Sequence, residues 1–262
     1  MENFDEAMAL RHSVRNYEDT PLSEAQIKAL QDYIQKVNDV SGLSISLNVE
    51  EDIFSHWILG YGFIKNCHNY LRFAGKDTPD LEEKVGYYGE LVILKAQQLG
   101  LNTCWVGGTY RKKDVVEEQD TKLVCVAALG VGKTQGSPSK SKSIESYYKG
   151  ENVPDWFIAG MKTVMLAPSA VNQKKWLFRY FDDGRVEATS DGKHFNAVDL
   201  GIAKLHFELG AKRKVFEFCR SGISNLTAHK NNKAGRRRSL TSLFQPKNLP
   251  VVWEGFEVVE LD

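Results

Sequence analysis

A polar connector divides this sequence into two stretches that can each form a folded half. From Thr134 to Lys149 the chain reads TQGSPSKSKSIESYYK, which is poor in apolar residues and is interrupted by Pro138. On either side, helices are predicted around strands, without the alternating strand and helix run that would make a parallel sheet. We therefore predict an α+β fold in two related halves, residues 1–149 and 150–262.

The apolar patterns within each half predict its helices and strands. Ser23 followed by Gln26 is a helix-capping sequence, so a helix is expected from there to about Lys36. The other elements expected in the first half are a helix over 3–10, a strand over 70–75, a helix over 80–99 and a central strand over 122–130. Those expected in the second half are a helix over 153–166, a hairpin over 177–191 and a helix over 200–209.

Composition excludes several classes of function. Lysine plus arginine and aspartate plus glutamate both number 34, so no long-range field attracts nucleic acid or an anionic membrane. The N-terminus lacks the basic segment and apolar run of a signal peptide, and no stretch reaches the length of a membrane span. We expect a cytoplasmic protein that binds neither nucleic acid nor membrane. The basic stretch 229–238 is interpreted as a solvated loop, with a phosphate or nucleic-acid contact by Arg236–Arg238 as the alternative.

The cysteines and histidines indicate no metal site. Cys67, Cys104, Cys125 and Cys219 form no CxxC pair, and the six histidines show neither HxxxH nor HExxH spacing. The cysteines are therefore predicted to be thiols in the core.

Three short segments could bind a ligand. Arg11, His12, Ser13 and Arg15 offer two forked cations and a hydroxyl to an anion, although solvated arginines near a helix end are common. Val106, Gly107 and Gly108 follow the segment LGLNTCW, and glycines allow backbone amides to approach a flat ring, although an ordinary turn has the same composition. The third segment is APSAVN, whose candidate residues are Pro168, Ser169, Ala170 and Asn172.

A fourth segment imitates a phosphate-binding loop. Residues 127–134 read AALGVGKT after a strong strand, but a true loop of this kind requires Lys133 and Thr134 to begin a helix. The following residues, QGSPS, cannot sustain one. We interpret the segment as the end of a strand and a turn.

In combination the three ligand-binding segments resemble the FMN-dependent nitroreductase family. Its R-x-S-x-R element matches Arg11–Arg15, its GLGTCW-type loop matches Gly100–Gly107, and its APSAxNxQPW element matches Ala167–Trp176, with Lys174 and Lys175 where the family usually has Gln and Pro. The late position of the APSA element is similar to the fused branch of the family, in which two halves of one chain imitate the usual homodimer.

The resemblance implies an FMN-dependent oxidoreductase that passes reducing equivalents from NADH or NADPH to a nitroaromatic, quinone or similar acceptor. Arg11 and Ser13 would bind the FMN phosphate with help from Lys140 and Lys142, and Arg15 would face the N1 and O2 edge of the flavin ring. Val106, Gly107 and Gly108 would bring an amide to N5, and the APSA segment would close the other side of the ring. No catalytic acid, base or nucleophile is then needed.

Each of these segments occurs once in the chain, which predicts a single site. The counterpart of the APSA element in the first half, around residues 35–46, does not match it, and the helix that ends near Leu209 lacks a TCWVGG continuation. We expect one FMN per chain and a competent monomer. The alternatives are a flavin-binding or regulatory protein without turnover and, more remotely, a nucleotide-binding protein that uses residues 127–134.

Overall fold

The structure is a computed structural model that describes residues 3–54, 64–115 and 119–216. Its helices are α1 Asp5–Leu10, α2 Glu24–Ser41, α3 Leu81–Gln98, α4 Asp155–Val164 and α5 Asn196–Ala211. Its strands are β1 Leu43–Asn48, β2 Asn69–Gly75, β3 Asn102–Val106, β4 Lys122–Gly130, β5 Tyr148–Lys149, β6 Trp176–Tyr180 and β7 Val186–Ser190. Short 3₁₀ turns form at Lys112–Asp114, Ile144–Tyr147 and Ala170–Asn172.

The first half contains an antiparallel sheet in the order β1-β2-β4-β3. Every residue of β2 is buried, as are the last six residues of β4, because helices cover one face of the sheet and further buried side chains cover the other. The continuous apolar runs that predicted central strands therefore reflect burial on both faces.

The second half contains a smaller sheet in the order β5-β6-β7, in which β6 and β7 form the predicted hairpin. Helices α4 and α5 pack on it through an aromatic cluster. The rings of Phe178 and Phe207 stack at 5.1 Å, and Phe157 meets Phe207 edge to face at 5.2 Å. Such contacts stabilise a core beyond the effect of buried area alone. Tyr148 and Lys149, placed by the sequence at the end of the connector, pair with β6 in this sheet.

Helices α3 and α5 cross closely and join the two halves. A Cβ on Gly86 would lie 2.0 Å from the Val198 carbonyl oxygen, and a Cβ on Gly201 would lie 2.0 Å from the Glu83 carbonyl oxygen. The two glycines thus let the backbones approach to a distance that no side chain allows.

The sequence placed most elements correctly but missed three strands, β1, β3 and the two-residue β5. The Ser23 capping box is present, yet α2 continues past Lys36 to Ser41, ends at Gly42 in the left-handed conformation, and is followed at once by β1. The Asn38 side chain both donates to and accepts from the Ile45 backbone at 2.9 Å, which fixes this tight reversal. The predicted end of α2 was too early. Residues 37–41 contain no strong helix breaker, so the helix continues through them, and β1 follows directly.

Both halves contain the same order of elements: helix, two antiparallel strands, helix. In the first half these are α2, β1, β2 and α3, and in the second half α4, β6, β7 and α5. Among the described residues, no helix combines the length and apolarity needed to cross a membrane.

Candidate functional site

Two adjoining cavities lie where the two halves meet. The large cavity, about 480 Å³, is lined by residues from the first half such as Arg11 and His12, by the connector, and by the second half. The small cavity, about 110 Å³, is lined mainly by apolar and aromatic side chains. The two cavities share the wall residues Ser13, Arg15, Pro168, Ser169 and Val171. The two cavities are therefore adjacent.

The segment Arg11–Arg15 is held in place by both its neighbours. Arg11 ends α1, where its amide donates to the Ala7 carbonyl at 2.9 Å. Ser13 forms a parallel bridge with Thr103 of β3, and the Val14 amide donates to the Thr103 carbonyl at 3.0 Å. The segment thus runs beside β3, which brings it next to the glycine loop that follows that strand.

A buried charge network orients Arg11. Its Nε lies 3.5 Å from Oε1 of Glu90, which is completely buried in α3. The same carboxylate meets His206 Nε2 at 3.1 Å and accepts from Trp105 Nε1 at 2.9 Å. Arg11 lines the large cavity. Because the residue is only 5% exposed, little water surrounds its guanidinium group. Burial, followed by the charge of Arg11, also lowers the pKa of the adjacent His12.

Residues 165–175, between α4 and β6, form a strained loop that contains the APSA segment. Val171, Asn172 and Lys174 have φ of 46°, 54° and 42°, which is the left-handed region. Val171 is β-branched and 92% exposed, so this conformation is unfavourable and no core packing explains it. Strain of this kind concentrates at ligand sites. Residues of this loop line both cavities.

Asp199 of α5 anchors this loop. Its Oδ1 accepts from the Ala170 amide at 2.9 Å, and its Oδ2 accepts from Gln173 Nε2 at 2.8 Å. The Gln173 Nε2 also donates to the His194 carbonyl at 3.0 Å. Burial raises the pKa of Asp199 to about 6, although both hydrogen bonds favour the charged form. Asp199 itself lines the small cavity.

Lys174 is buried directly behind the wall of the large cavity. Its Nζ donates to the Ser141 hydroxyl at 2.8 Å and to the Met165 carbonyl at 2.6 Å, and its amide donates to Ser169 Oγ at 3.0 Å. Burial, followed by the charge of Arg11, lowers the pKa of Lys174 to about 8.

The connector closes the large cavity with its backbone and small side chains. Gly136–Ser139 line the cavity, and Asn172 Nδ2 donates to the Lys140 carbonyl at 2.9 Å. The side chains of Lys140 and Lys142 are exposed and lie outside both linings. The positive charge expected from these two lysines is therefore not part of the cavity wall.

Aromatic residues and glycine shape the small cavity. Trp105, Val106, Gly107 and Phe195 belong to its wall, and a Cβ on Gly107 would lie 2.2 Å from the Phe195 ring. One edge of the Phe195 ring thus lies against Gly107. Gly108 lies outside the lining, and no heavy atom lies within 4 Å of the position that a Cβ on it would take.

The structure brings together most of the residues that the sequence singled out. Those that line the cavities are Arg11, His12, Ser13, Arg15, Val106, Gly107, Pro168, Ser169, Ala170 and Asn172. Gly108, Lys140 and Lys142 do not line them. The sequence did not predict two lining residues, Asp199 and Phe195. It also did not predict that Lys174 supports the wall. The one available signal was an aspartate inside the otherwise apolar helix sequence VDLGIA.

The other sequence candidates have structural explanations. After β4, the Gly132 amide donates to Asn102 Oδ1 at 2.9 Å and Gly132 bridges Tyr17, and no helix begins at Lys133. Cys67, Cys104 and Cys125 are buried free thiols, as predicted. In the described part of the chain, no cluster of His, Cys, Asp or Glu could hold a metal ion. Cys219 and the basic stretch 229–238 lie outside the described residues.

Comparison with known proteins identifies the family. Residues 3–211 match the family described as "Putative TM nitroreductase". A solved structure of a putative nitroreductase from Thermotoga maritima MSB8 is 23% identical and covers 84% of this chain and 91% of its own, with a TM-score of 0.55. A putative nitroreductase from Desulfovibrio desulfuricans, solved in complex with FMN, is 16% identical and covers 59% of this chain and 100% of its own, with a TM-score of 0.47. No curated protein matches this sequence. The Thermotoga structure confirms the predicted α+β nitroreductase-like fold, and by the family match the chain belongs to the Putative TM nitroreductase family.

Proposed function

We propose that this chain is an FMN-dependent oxidoreductase that passes reducing equivalents from NADH or NADPH to a small acceptor such as a nitroaromatic or a quinone. The observation that carries the proposal is the pair of adjoining cavities. The first half contributes Arg11–Arg15 to their walls, and the second half contributes residues 168–172. Two segments more than 150 residues apart in sequence thus line the same two cavities.

The large cavity fits a phosphate group. The Arg11 guanidinium, the Ser13 hydroxyl and the Ser137 and Ser139 residues of the connector surround it, and cations with hydroxyl donors are the groups that bind phosphate. Glu90, which pairs with Arg11, lines neither cavity, so the large cavity meets the guanidinium and not the carboxylate. In the proposed site, Arg11 and Ser13 hold the phosphate of FMN.

The small cavity fits the edge of a flat aromatic ring. Trp105, Pro168 and Ile202 give it apolar walls, and Arg15 is present where it joins the large cavity. Its volume of about 110 Å³ is limited by Phe195, whose ring lies against Gly107. A tricyclic ring reaches Gly107 only if the Phe195 side chain moves aside. The proposed site therefore includes Phe195 as a movable wall.

Bound FMN supplies the transfer of two electrons and a proton equivalent between donor and acceptor. The protein contributes position and electrostatics. Arg15 places a fixed cation where the reduced ring gathers negative charge, and such a contact strengthens as that charge develops. Once Phe195 has moved aside, the Gly107 backbone would be open to the ring, and Asp199 would hold the APSA segment in place through the Ala170 amide. No side-chain nucleophile is required.

The two halves of the chain are proposed to imitate the two subunits of a homodimer. Both contain helix, strand, strand and helix in the same order. The α3 and α5 contact is reciprocal as well, since Gly86 of α3 meets Val198 of α5 while Gly201 of α5 meets Glu83 of α3. Gly86 and Gly201 each lie five residues after the first residue of their helix. Reciprocal contacts of equivalent positions are typical of a two-fold interface.

The test is an absorption spectrum of the purified protein followed by anaerobic addition of NADH or NADPH. We expect flavin absorption, bleaching of that absorption by one of the two nicotinamides, and recovery when a nitroaromatic or a quinone is added. Protein that takes up no added FMN, or bound FMN that neither nicotinamide bleaches, would contradict the proposal.

A flavin-binding protein without turnover is the second candidate, and the position of Phe195 favours it. Because this ring lies on Gly107, it restricts the approach of a nicotinamide to the proposed ring site. The same spectrum separates the two functions. A retained flavin that chemical reductants bleach and nicotinamides do not would support the second candidate.

A further inference from the structure

We propose that Lys174 supplies a buried positive charge to the anion site in the large cavity and makes that site selective for a phosphorylated flavin. The inference rests on the proposed function, because it concerns the phosphate end of the same ligand.

The contacts of Lys174 place it immediately behind the wall of the large cavity. Met165 and Ser169 both line that cavity; the Lys174 ammonium group donates to the Met165 carbonyl, and the Lys174 backbone amide donates to Ser169 Oγ. Its third partner, Ser141, lies two residues after the wall residue Ser139. One ammonium group therefore ties the strained loop and the connector together immediately behind the wall.

The charges around this position do not balance. Lys174 is 4% exposed, and in the described part of the chain no carboxylate lies within ion-pair distance of its Nζ. Both of its hydrogen-bond acceptors are neutral oxygens. Arg11, whose charge also lowers the pKa of Lys174, is a second buried cation, and the Glu90 carboxylate that pairs with Arg11 can balance only one of the two.

A buried cation without a counter-charge is costly, and an anion in the adjoining cavity would compensate it. The lowered pKa of Lys174 agrees with this imbalance. A purely structural role would need only a hydrogen-bond donor to Ser141 and Met165, and a neutral amide could provide that. The charge is the property that the structure leaves unexplained.

The experiment compares Lys174→Gln and Lys174→Met with Lys175→Gln, a control at the neighbouring exposed lysine. Dissociation constants are measured for FMN and for riboflavin, which lacks the phosphate. We expect both Lys174 variants to bind FMN about tenfold more weakly or worse, with riboflavin affinity changed less than about twofold. The control should bind both flavins as the unmodified protein does.

The stability of the flavin-free variants gives an independent readout. Because Lys174→Met removes an uncompensated buried cation, the flavin-free variant should unfold at a higher urea concentration than the unmodified protein while binding FMN more weakly. Equal losses of FMN and riboflavin affinity, or FMN affinity that stays unchanged in both variants, would overturn the inference.

Inorganic phosphate separates this inference from the proposed function. Phosphate should raise the melting temperature of the flavin-free unmodified protein more than that of Lys174→Met. If this difference is found while no flavin binds, the anion site stands and the proposed function fails. If FMN binds but phosphate protects both proteins equally, the proposed function stands and the role of Lys174 is refuted.

Discussion

Asp199 is a residue of the candidate site that lowers the stability of the fold at neutral pH. The carboxylate is 3% exposed and lies between the strained loop and α5. Two hydrogen bonds do not offset its desolvation, so its pKa rises from 3.8 in the unfolded chain to about 6. Asp199 thus contributes stability that is fully present below about pH 4 and is lost as the pH rises through 6. At pH 7 Asp199 is a buried negative charge that lowers the free energy of unfolding. Buried charges of this kind are common at functional sites.

The first prediction is that Asp199→Asn gains stability relative to the unmodified protein as the pH rises through 6. Asparagine can still accept from the Ala170 amide, whereas Gln173 must turn its amide to accept from the new one and so gives up its bond to the His194 carbonyl, a loss that does not depend on pH. The free energy of unfolding relative to the unmodified protein should rise with pH between 5 and 8, by on the order of 1–3 kcal/mol. Urea denaturation at several pH values measures it.

Asp183→Asn is the control, because Asp183 is exposed in the turn of the β6 and β7 hairpin and makes an equivalent bond to the Arg185 amide. It should show no such trend. A stability difference for Asp199→Asn that stays constant from pH 5 to pH 8 would mean that Asp199 does not titrate near 6.

The residues that the sequence identified and those that it missed differ in how they reach the site. Arg11, Ser13 and Arg15 are adjacent in sequence, and so are Pro168–Asn172, so local motifs could reveal them. Asp199 and Phe195 reach the cavities only because α5 packs across α3, which no local pattern encodes. Lys174 lies in the segment that matches the APSA element. Its burial depends on the contact with Ser141, which lies 33 residues earlier in the sequence.

At the scale of elements, the crossing of α3 and α5 determines whether the site exists. Arg11 is anchored on α3 through Glu90, and the strained loop is anchored on α5 through Asp199. The distance between the two helices therefore sets the width of the cleft. Long apolar runs made both helices predictable, whereas their close approach depends on glycines whose role only the packing reveals.

The second prediction is that Gly201→Ala destabilises the protein by about 3 kcal/mol, although alanine is the better helix former. The new methyl group would meet the backbone oxygen of Glu83 at 2.0 Å, and backbone atoms cannot move aside without separating the helices. Gly86→Ala should act similarly through Val198. Urea denaturation with tryptophan fluorescence gives both values.

Gly201→Ala and Gly86→Ala each separate the same two helices. The free energy of unfolding that the double variant loses should therefore be smaller than the sum of the two single losses. Gly108→Ala is the control, since nothing lies within 4 Å of its Cβ position. A stability of Gly201→Ala equal to that of the control would show that the helices do not approach as closely as described.

At the scale of the whole molecule, the two halves are unequal at the position that matters for binding. In the second half, residues 165–175 separate α4 from β6 and form the wall of both cavities. At the corresponding position in the first half, Gly42 alone separates α2 from β1. The first half therefore lacks the loop that a second, equivalent site would require. The sequence indicated this asymmetry because the first half lacks an APSA motif. The short connection at Gly42 was not predicted because the strand that follows it, β1, was not predicted.

Binding of one FMN between the two halves of one chain is tested by the flavin content per chain together with the mass in solution. Protein reconstituted with excess FMN and freed of unbound flavin is denatured by heat, the released FMN is quantified against protein, and light scattering gives the mass of the loaded form. We expect one FMN per chain in a monomer. Two FMN per chain, or flavin retained only by a dimer, would contradict it.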